Sequence, residues 1–300
     1  MCTLQALKKG LNDIAVHKGV VFILWLTDLL LALAVALPVF GWLGRMNRTV
    51  AAQSMLNGFS LPLLFDLGRY DFAGVVRIFG ALACWLVFCA LVAGTMVSGG
   101  VLAVLAAPGR QPLFEHFLRG AGRYFGRFFR LLIGACLAAG LVLVAINLAL
   151  AVVIERVFGG GSELSPAVVL GQVAVNLVIG TAFLLALHYA RIETVVEGRS
   201  RMARAYVRSL VFVYRNILKV FAVIVVFAAL TGAVYLVYAV VRSAMPTTTW
   251  LFILSLTAIQ QTVMLARSAF RVGLYGAELE LFLLRRPKPP EPLSTLPPAP

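Results

Sequence analysis

The chain has 300 residues, of which 61% are hydrophobic and 13% are charged, and its mean hydropathy is +0.96. Ordinary soluble domains carry about 25% charged residues, so this composition excludes a soluble enzyme, a disordered chain and a disulfide-stapled secreted domain. Lysine and arginine together number 26 against 12 acidic residues, which gives a net charge of +14. In a chain this apolar, the positive excess indicates a membrane-facing cytosolic side and not a nucleic-acid partner.

Six apolar runs are long enough to cross a bilayer, because a helix needs about 20 apolar residues to span the ~30 Å hydrocarbon core. They cover residues 20–43, 78–107, 131–154, 168–190, 220–241 and 250–266. The first run exceeds the apolar part of a cleavable signal, so we expect it to remain in the mature protein. The predicted fold class is all-α, a polytopic integral membrane helical bundle with a single transmembrane domain over residues 1–284.

The basic residues fall mainly in alternate connections, and this asymmetry predicts the orientation of the chain. Most of the 26 lysines and arginines lie before the first run, in the second and fourth connections, and after the sixth run. Basic residues resist translocation, so these segments and both termini are predicted to be cytosolic. Arginine is much commoner than lysine, which would suit a GC-rich bacterial source. We therefore expect a multi-pass protein of the bacterial cytoplasmic (inner) membrane.

Two further segments lie outside the predicted spans. Residues 44–76 form the only sizeable extracytoplasmic connection. Its polar group would suit either a substrate mouth or a packed loop, and consists of Asp66, Arg69, Tyr70 and Asp71. Residues 285–300 hold seven of the 13 prolines and no apolar periodicity, so we expect a disordered Pro-rich cytosolic tail.

The second connection is predicted to form a basic amphipathic helix at the inner membrane face. At 100° per residue, its aromatic residues and its arginines fall on opposite sides. The aromatic side contains Phe117, Tyr124, Phe125 and Phe128, and the basic side contains Arg119, Arg123, Arg127 and Arg130. Such a helix is suited to lie in the headgroup layer, with its rings in lipid and its guanidinium groups on phosphates.

The fourth connection has a similar pattern. Its basic stripe contains Arg201, Arg204, Arg208, Arg215 and Lys219, beside an apolar face of Val207, Val211, Tyr214 and Leu218. The two connections align at an offset of 89 residues, which pairs Arg119 with Arg208 and suggests a repeated unit of span, basic helix and return span. Two interpretations of the stripes stay open. They contact anionic lipid headgroups or an acidic partner, or they serve only to set the topology of the chain.

Polar residues within apolar spans are the usual functional candidates, because exposing them to lipid is costly. Asp28 lies near the middle of the first span. The amide candidates are Asn147, Gln172, Asn176, Gln260 and Gln261. These side chains would form a polar pocket if their faces converge. Alternatively, each amide hydrogen-bonds a neighbouring helix and acts only in packing.

Several other features were weighed for chemistry. His188 and Arg191 lie one turn apart, followed by Glu193 and Glu197, but the chain has only three histidines and we assign no metal or proton-relay site there. Small residues recur every four positions in the second span, which predicts close packing within the chain or in a homodimer. The common nucleotide-binding, metalloprotease and hydrolase motifs do not occur, so we predict no catalytic residue, cofactor or metal.

One stretch resembles a known family. Residues 192–198, IETVVEG, followed by Ala205, Ser209 and Asn216, fit a span that ends in a Glu-Gly turn, a helix with alanine and serine, and a next span. This pattern is similar to the six-helix bacterial membrane domains that occur alone or fused to some glycerophosphodiester phosphodiesterases. The resemblance implies a fold but no catalytic residue, because this chain has no stretch that corresponds to the fused phosphodiesterase.

These features predict a non-enzymatic integral membrane protein, acting as a scaffold, an accessory subunit or a lipid-interacting component. Its expected partners are anionic headgroups and either another membrane protein or a second copy of the chain. The alternative is a permease or transporter subunit with a polar path through Asp28 and the amides. A permease requires a water-accessible cavity that reaches Asp28, whereas a scaffold should seal this side chain against neighbouring helices.

Overall fold

The computed structural model describes residues 2–46, 61–107, 112–158, 166–198, 202–245 and 249–285, and every regular element within these ranges is an α-helix. The helices are α1 Cys2–Val16, α2 Lys18–Met46, α3 Leu61–Ala106, α4 Leu113–Phe158, α5 Pro166–Glu197, α6 Met202–Arg215, α7 Ile217–Ala244 and α8 Trp250–Arg285. The all-α prediction is confirmed for this part of the chain.

Five helical segments of the described chain are long and apolar enough to cross a membrane. They are Ala83–Ala106, Leu113–Val153, Val168–Glu197, Ile217–Ala244 and Trp250–Arg285. Residues Cys2–Val16 and Lys18–Ala34 pass the same test only when they are taken together as one span. The protein is therefore membrane-embedded, and five of the six apolar runs found in the sequence overlap these segments.

The start of helix α3 differs from the expected one. Helix α3 begins at Leu61, so the second half of the predicted 44–76 loop has a helical backbone. Pro62 is compatible with this start, because a first-turn proline removes no intrahelical hydrogen bond. Residues 47–60 of that loop, Arg201, and residues 286–300 of the predicted tail lie outside the described residues.

The chain divides into two compact units. The larger unit contains Met1–His17 and Arg130–Pro300, and the smaller unit contains Lys18–Phe129. The division falls within α4, after its basic and aromatic first half. The single transmembrane domain over residues 1–284 stays a prediction.

In the larger unit, buried side chains collect at one end of each long helix. These packed ends are residues 131–135 of α4, 186–194 of α5, 220–227 of α7 and 268–282 of α8. Apolar side chains elsewhere on the same helices are mostly exposed, among them Leu177, Leu236 and Leu251. Such exposure is stable only in lipid, which is as apolar as these side chains.

Helix α8 shows where the membrane-facing part of a helix gives way to its packed end. Its 36 residues extend for about 54 Å, well beyond the ~30 Å hydrocarbon core. Trp250 and Arg267 are about 25 Å apart along the helix and belong to the residue types that anchor spans at their two interfaces. Between Ser268 and Phe282 every residue of the helix is buried or half-buried. The packed end of α8 thus extends past the hydrocarbon.

Helix α1 packs closely on the packed end of α8 through glycine. A Cβ atom added at Gly10 would collide with the backbone oxygen of Gly273 and would lie 2.9 Å from the Ala277 Cβ. A Cβ added at Gly276 would lie 2.5 Å from the Asp13 carboxylate. Asp13 is buried in this contact and pairs with Lys9 at 3.2 Å. The two helices approach this closely only because these positions have no side chain.

Helix α6 packs across the end of α5. Gly198 has a φ of 64°, a left-handed conformation that ends α5 and turns the chain toward α6. The Ser209 hydroxyl, fully buried, donates to the Ala186 carbonyl at 2.7 Å, and the Tyr206 hydroxyl donates to the Phe183 carbonyl at 3.3 Å. Burial, with a smaller contribution from Cys136, raises the pKa of the Tyr206 phenol to about 12, so this donor keeps its proton.

In the smaller unit, the first half of α4 packs on the end of α3. Gly99 and Gly100 face the Tyr124 and Phe117 side chains, and Gly120 meets Ala103. Phe117, Tyr124 and Phe128 are buried in protein. The expectation that this aromatic face lies in lipid is therefore wrong. Helix α4 continues without interruption through Arg130 and Leu131, so the basic segment and the following span belong to one helix.

Candidate functional site

The surface of α6 combines an exposed apolar stripe with exposed basic residues. Its small and aromatic residues, Ala205, Tyr206, Ser209 and Val213, are buried. The stripe contains Val207, Val211, Tyr214 and, just beyond the helix, Leu218, and Tyr214 and Leu218 are 81% and 82% exposed. The predicted apolar face of this segment thus points away from the protein. The packing of α6 on α5 uses a different face, which the sequence pattern did not single out.

The basic residues of this segment have different environments. Arg208 lies 3.7 Å from the Glu193 carboxylate of α5. Arg204 and Arg215 are exposed, and within the described residues neither forms an ion pair. Lys219 is half-buried at the start of α7. Arg204 and Arg215 are therefore the members of the predicted stripe best placed to reach a ligand outside the protein. We call α6, with its apolar stripe and these two arginines, the α6 surface.

The basic residues in the first half of α4 are partly engaged within the chain. Arg119 pairs with Glu115 one turn earlier at 2.6 Å. The Arg123 guanidinium carbon lies 5.7 Å from the centre of the Tyr124 ring, a cation–π distance. Arg127 is half-buried and Arg130 is exposed. Phe117 and Tyr124 of this segment pack on α3, and its exposed apolar side chains are Phe114 and Leu118.

A buried ionic cluster lies where the packed ends of α5 and α8 meet. The His188 Nδ1 atom lies 3.5 Å from the Glu278 Oε2 atom, and the His188 ring stacks on Tyr275 at 5.8 Å. Glu278 is 1% exposed. Arg191 and Glu193, on the following turn of α5, are also buried. These polar side chains of α5 and α8 lie together in an otherwise apolar contact.

Sequence analysis named His188, Arg191 and Glu193 but assigned them no site, and it missed Glu278. The available signal was an ionisable residue within the apolar run that ends α8. Within the described residues, no group of three or more histidine, cysteine or acidic side chains is arranged to hold a metal ion.

Three of the predicted intramembrane amides meet between α4 and α5. Gln172 donates to the Asn147 side-chain oxygen at 2.7 Å. Asn147 in turn donates to Asn176 at 2.9 Å, and Asn176 donates back at 3.1 Å. Asn147 also donates to the Leu143 carbonyl at 2.7 Å. The amides thus satisfy one another across the helix pair, which is the packing interpretation of these residues.

The remaining predicted polar residues lie elsewhere. Gln260 is exposed and Gln261 is half-buried on α8. Asp28 is half-buried on α2, which belongs to the smaller unit, whereas the amides belong to the larger one. The convergence of Asp28 with the amides on one polar path stays a prediction.

Replacing Asn147 by leucine should lower the free energy of unfolding by about 0.6–2 kcal/mol, because it removes the hydrogen bonds that join α4 to α5. Reversible unfolding in mixed detergent micelles measures this change. Gln260→Leu is the matched control, since it changes an exposed amide, and we expect little effect. An Asn147→Leu protein as stable as the parent would contradict the packing role of this network.

Comparisons of the chain with protein-family models, with curated proteins and with solved structures find no match.

Proposed function

We propose that the chain is a non-enzymatic integral protein of the bacterial inner membrane that acts as a lipid-interacting scaffold or accessory component. In this proposal it has six spans, α2 provides the first of them, and both termini are cytosolic. The packed ends of the helices then lie at the inner membrane face. The observation that carries the proposal is the α6 surface, where an unpacked apolar stripe and exposed arginines lie together.

The physical argument follows from the two parts of the α6 surface. An apolar stripe on a short helix is stable at the membrane interface, where its side chains enter the acyl boundary. The flanking arginines Arg204 and Arg215 then lie at headgroup depth and attract anionic phosphates. A basic residue near an anionic leaflet contributes ~1 kcal/mol to this attraction. An acidic membrane-protein partner or a second copy would have to supply both a negative charge for the arginines and an apolar surface for the stripe, whereas an anionic lipid supplies both in one molecule.

The test measures which lipids remain bound to the full chain after reconstitution in vesicles that contain equal amounts of phosphatidylglycerol and phosphatidylcholine. Reversing two charges with Arg204→Glu and Arg215→Glu should reduce the phosphatidylglycerol enrichment of the extracted protein at least fivefold. Native mass spectrometry of the extracted protein measures this enrichment. Arg208 is left unchanged, because it pairs with Glu193.

Arg242→Glu is the matched control, because Arg242 is exposed at the opposite end of α7. This control should leave the enrichment unchanged. A triple reversal at Arg119, Arg123 and Arg127 should give a smaller loss than the α6 pair, since Arg119 and Arg123 already have partners within the chain. Unaltered enrichment in the α6 variant would refute the proposed lipid-binding role.

A further inference from the structure

An open apolar groove of about 390 Å³ runs between α7 and α8. Its lining includes Ala233, Val237 and Val241 from α7 and Ile259, Thr262 and Val263 from α8. All of these α8 residues lie between Trp250 and Arg267, the part of the helix whose length matches the hydrocarbon core. The groove therefore opens to the acyl region of the bilayer and not to water.

The register of the two helices places a positive charge at one mouth of this groove. The helices run antiparallel, and Phe227 of α7 lies against Gly273 of α8. Val241 and Ile259, which both line the groove, fit the same register. In that register Ala233 lies level with Arg267. The groove thus ends at the depth of Arg267, on the side of the packed ends.

Arg267 is placed to hold a ligand at this mouth. It is exposed and lies one helical turn after the groove residue Val263. Within the described residues it takes part in no ion pair. An arginine at this depth extends toward the headgroups, where a phosphate oxygen is its natural partner.

The lining of the groove and the charge at its mouth favour an anionic lipid as the occupant. The stretch from Ala233 to Val241 is about 12 Å long, and nearly all of the lining side chains are apolar, which suits an acyl chain. An apolar transmembrane helix in the same place would leave Arg267 without a counter-charge, whereas the phosphate of an anionic phospholipid supplies one at the depth of Arg267.

From these observations we infer that the α7–α8 groove and Arg267 form a discrete site for one anionic phospholipid. An acyl chain lies in the groove, and the lipid phosphate accepts hydrogen bonds from the Arg267 guanidinium. This inference deepens the proposed lipid-interacting role and rests on it. It adds a stoichiometric site within the membrane to the surface attraction at α6.

The experiment uses the full chain, delipidated in detergent and titrated with dioleoylphosphatidylglycerol or dioleoylphosphatidylcholine, with native mass spectrometry as the readout. The parent protein should retain one phosphatidylglycerol at concentrations where further lipids dissociate. Val237→Trp fills the groove and should abolish this tight binding. Val240→Trp is the matched control, since Val240 is 61% exposed against 63% for Val237 but does not line the groove.

A second pair of variants tests the headgroup contact without changing the groove. Arg267→Gln should weaken phosphatidylglycerol binding about fivefold and leave phosphatidylcholine binding unchanged, whereas Arg242→Gln should change neither. The Arg204→Glu and Arg215→Glu protein should keep its one tight lipid even where it loses surface enrichment. Failure of the groove site is thus distinguishable from failure of the α6 surface.

Three outcomes would overturn the inference. The first is that Val237→Trp retains the tight lipid. The second is a change in oligomeric mass on Val237→Trp, which would make the groove an interface with a second copy. The third is equal affinity for the two lipids in the parent protein, which would remove the role of Arg267.

Discussion

Replacing Gly10 by alanine should separate α1 from α8 and lower the free energy of unfolding by about 1–3 kcal/mol. The added methyl group collides with the backbone oxygen of Gly273, and a backbone atom in a packed helix cannot move aside as a flexible side chain can. The Asp13 carboxylate beside Gly276 would also lose its enclosure. Reversible unfolding in mixed micelles measures the change, and increased proteolysis within residues 2–16 would report the release of α1.

Gly232→Ala is the control for this substitution. Gly232 lies within α7, and a Cβ atom there would meet nothing within 4 Å. Alanine is a better helix former than glycine, so this variant should be unchanged or more stable by roughly 0.5–1 kcal/mol. The two identical substitutions are therefore expected to change stability in opposite directions. If Gly10→Ala is as stable as Gly232→Ala, the close approach of α1 to α8 is not the contact described above.

Reversing the charge of Glu278 should lower the free energy of unfolding by about 3–5 kcal/mol. The carboxylate is 1% exposed and lies 3.5 Å from the His188 Nδ1 atom. A lysine there would place an ammonium group in the same enclosed position, beside His188 and without the carboxylate that balances it. Desolvating a charge without a counter-charge is among the most costly changes a folded protein can undergo.

Glu280→Lys is the matched control for Glu278→Lys. Glu280 is only half-buried and lies two residues further along the same helix, so its replacement should change stability by less than about 1 kcal/mol. Yield of folded protein and thermal unfolding in detergent are the measurements. Glu278→Gln should fall between the two, because it keeps the shape and removes only the charge. Equal stability of the two lysine variants would show that the ionic cluster does not join α5 to α8.

The long apolar runs were sufficient to predict the long helices, because an apolar run of span length has few other stable structures. These runs could not distinguish the protein-facing side of a helix from its lipid-facing side. Phe117 and Tyr124 pack on glycines of α3, whereas the apolar stripe of α6, which contains Val207, Val211 and Tyr214, remains exposed. Both faces are apolar, and the difference depends on whether small residues on a neighbouring helix leave room for large side chains.

Local chain-breaking signals explain which basic segment became a separate helix. Asn216 interrupts the chain between α6 and α7, with a φ of −122° and a ψ of 22°. Helix α4 has no such interruption and continues through Arg130 and Leu131. The interruption at Asn216 lets α6 change direction before the next span begins. This difference is present in the sequence, but the charge pattern, which is similar in the two segments, does not reveal it.

The pattern of burial is similar in the segments of α4 and α6 that align at an offset of 89 residues. Phe117, Gly120 and Tyr124 of α4 are buried, and the residues aligned with them, Tyr206, Ser209 and Val213 of α6, are buried too. In each case the basic segment packs on the end of the preceding long helix, α3 or α5. Helix α1 packs in a comparable way on the end of α8.

The ionic cluster could not be predicted, because its members come from distant parts of the chain. His188 and Glu278 belong to different helices, and only tertiary packing brings them to 3.5 Å. By contrast, Asn147, Gln172 and Asn176 were recognisable as polar residues in apolar spans, and their similar depth on adjacent helices made contact a reasonable expectation. The choice between a polar path and a contact that joins two helices required the hydrogen bonds that the structure shows.

The glycine contact between α1 and α8 constrains the order of events during synthesis. Almost the whole chain separates Gly10 from Gly273, so α1 leaves the ribosome while its binding surface on α8 is still untranslated. Contacts between such distant segments form late, because closing a long loop costs conformational entropy. Helix α1 therefore stays undocked until α8 has been synthesised, and truncation of the chain before α8 removes its binding surface altogether.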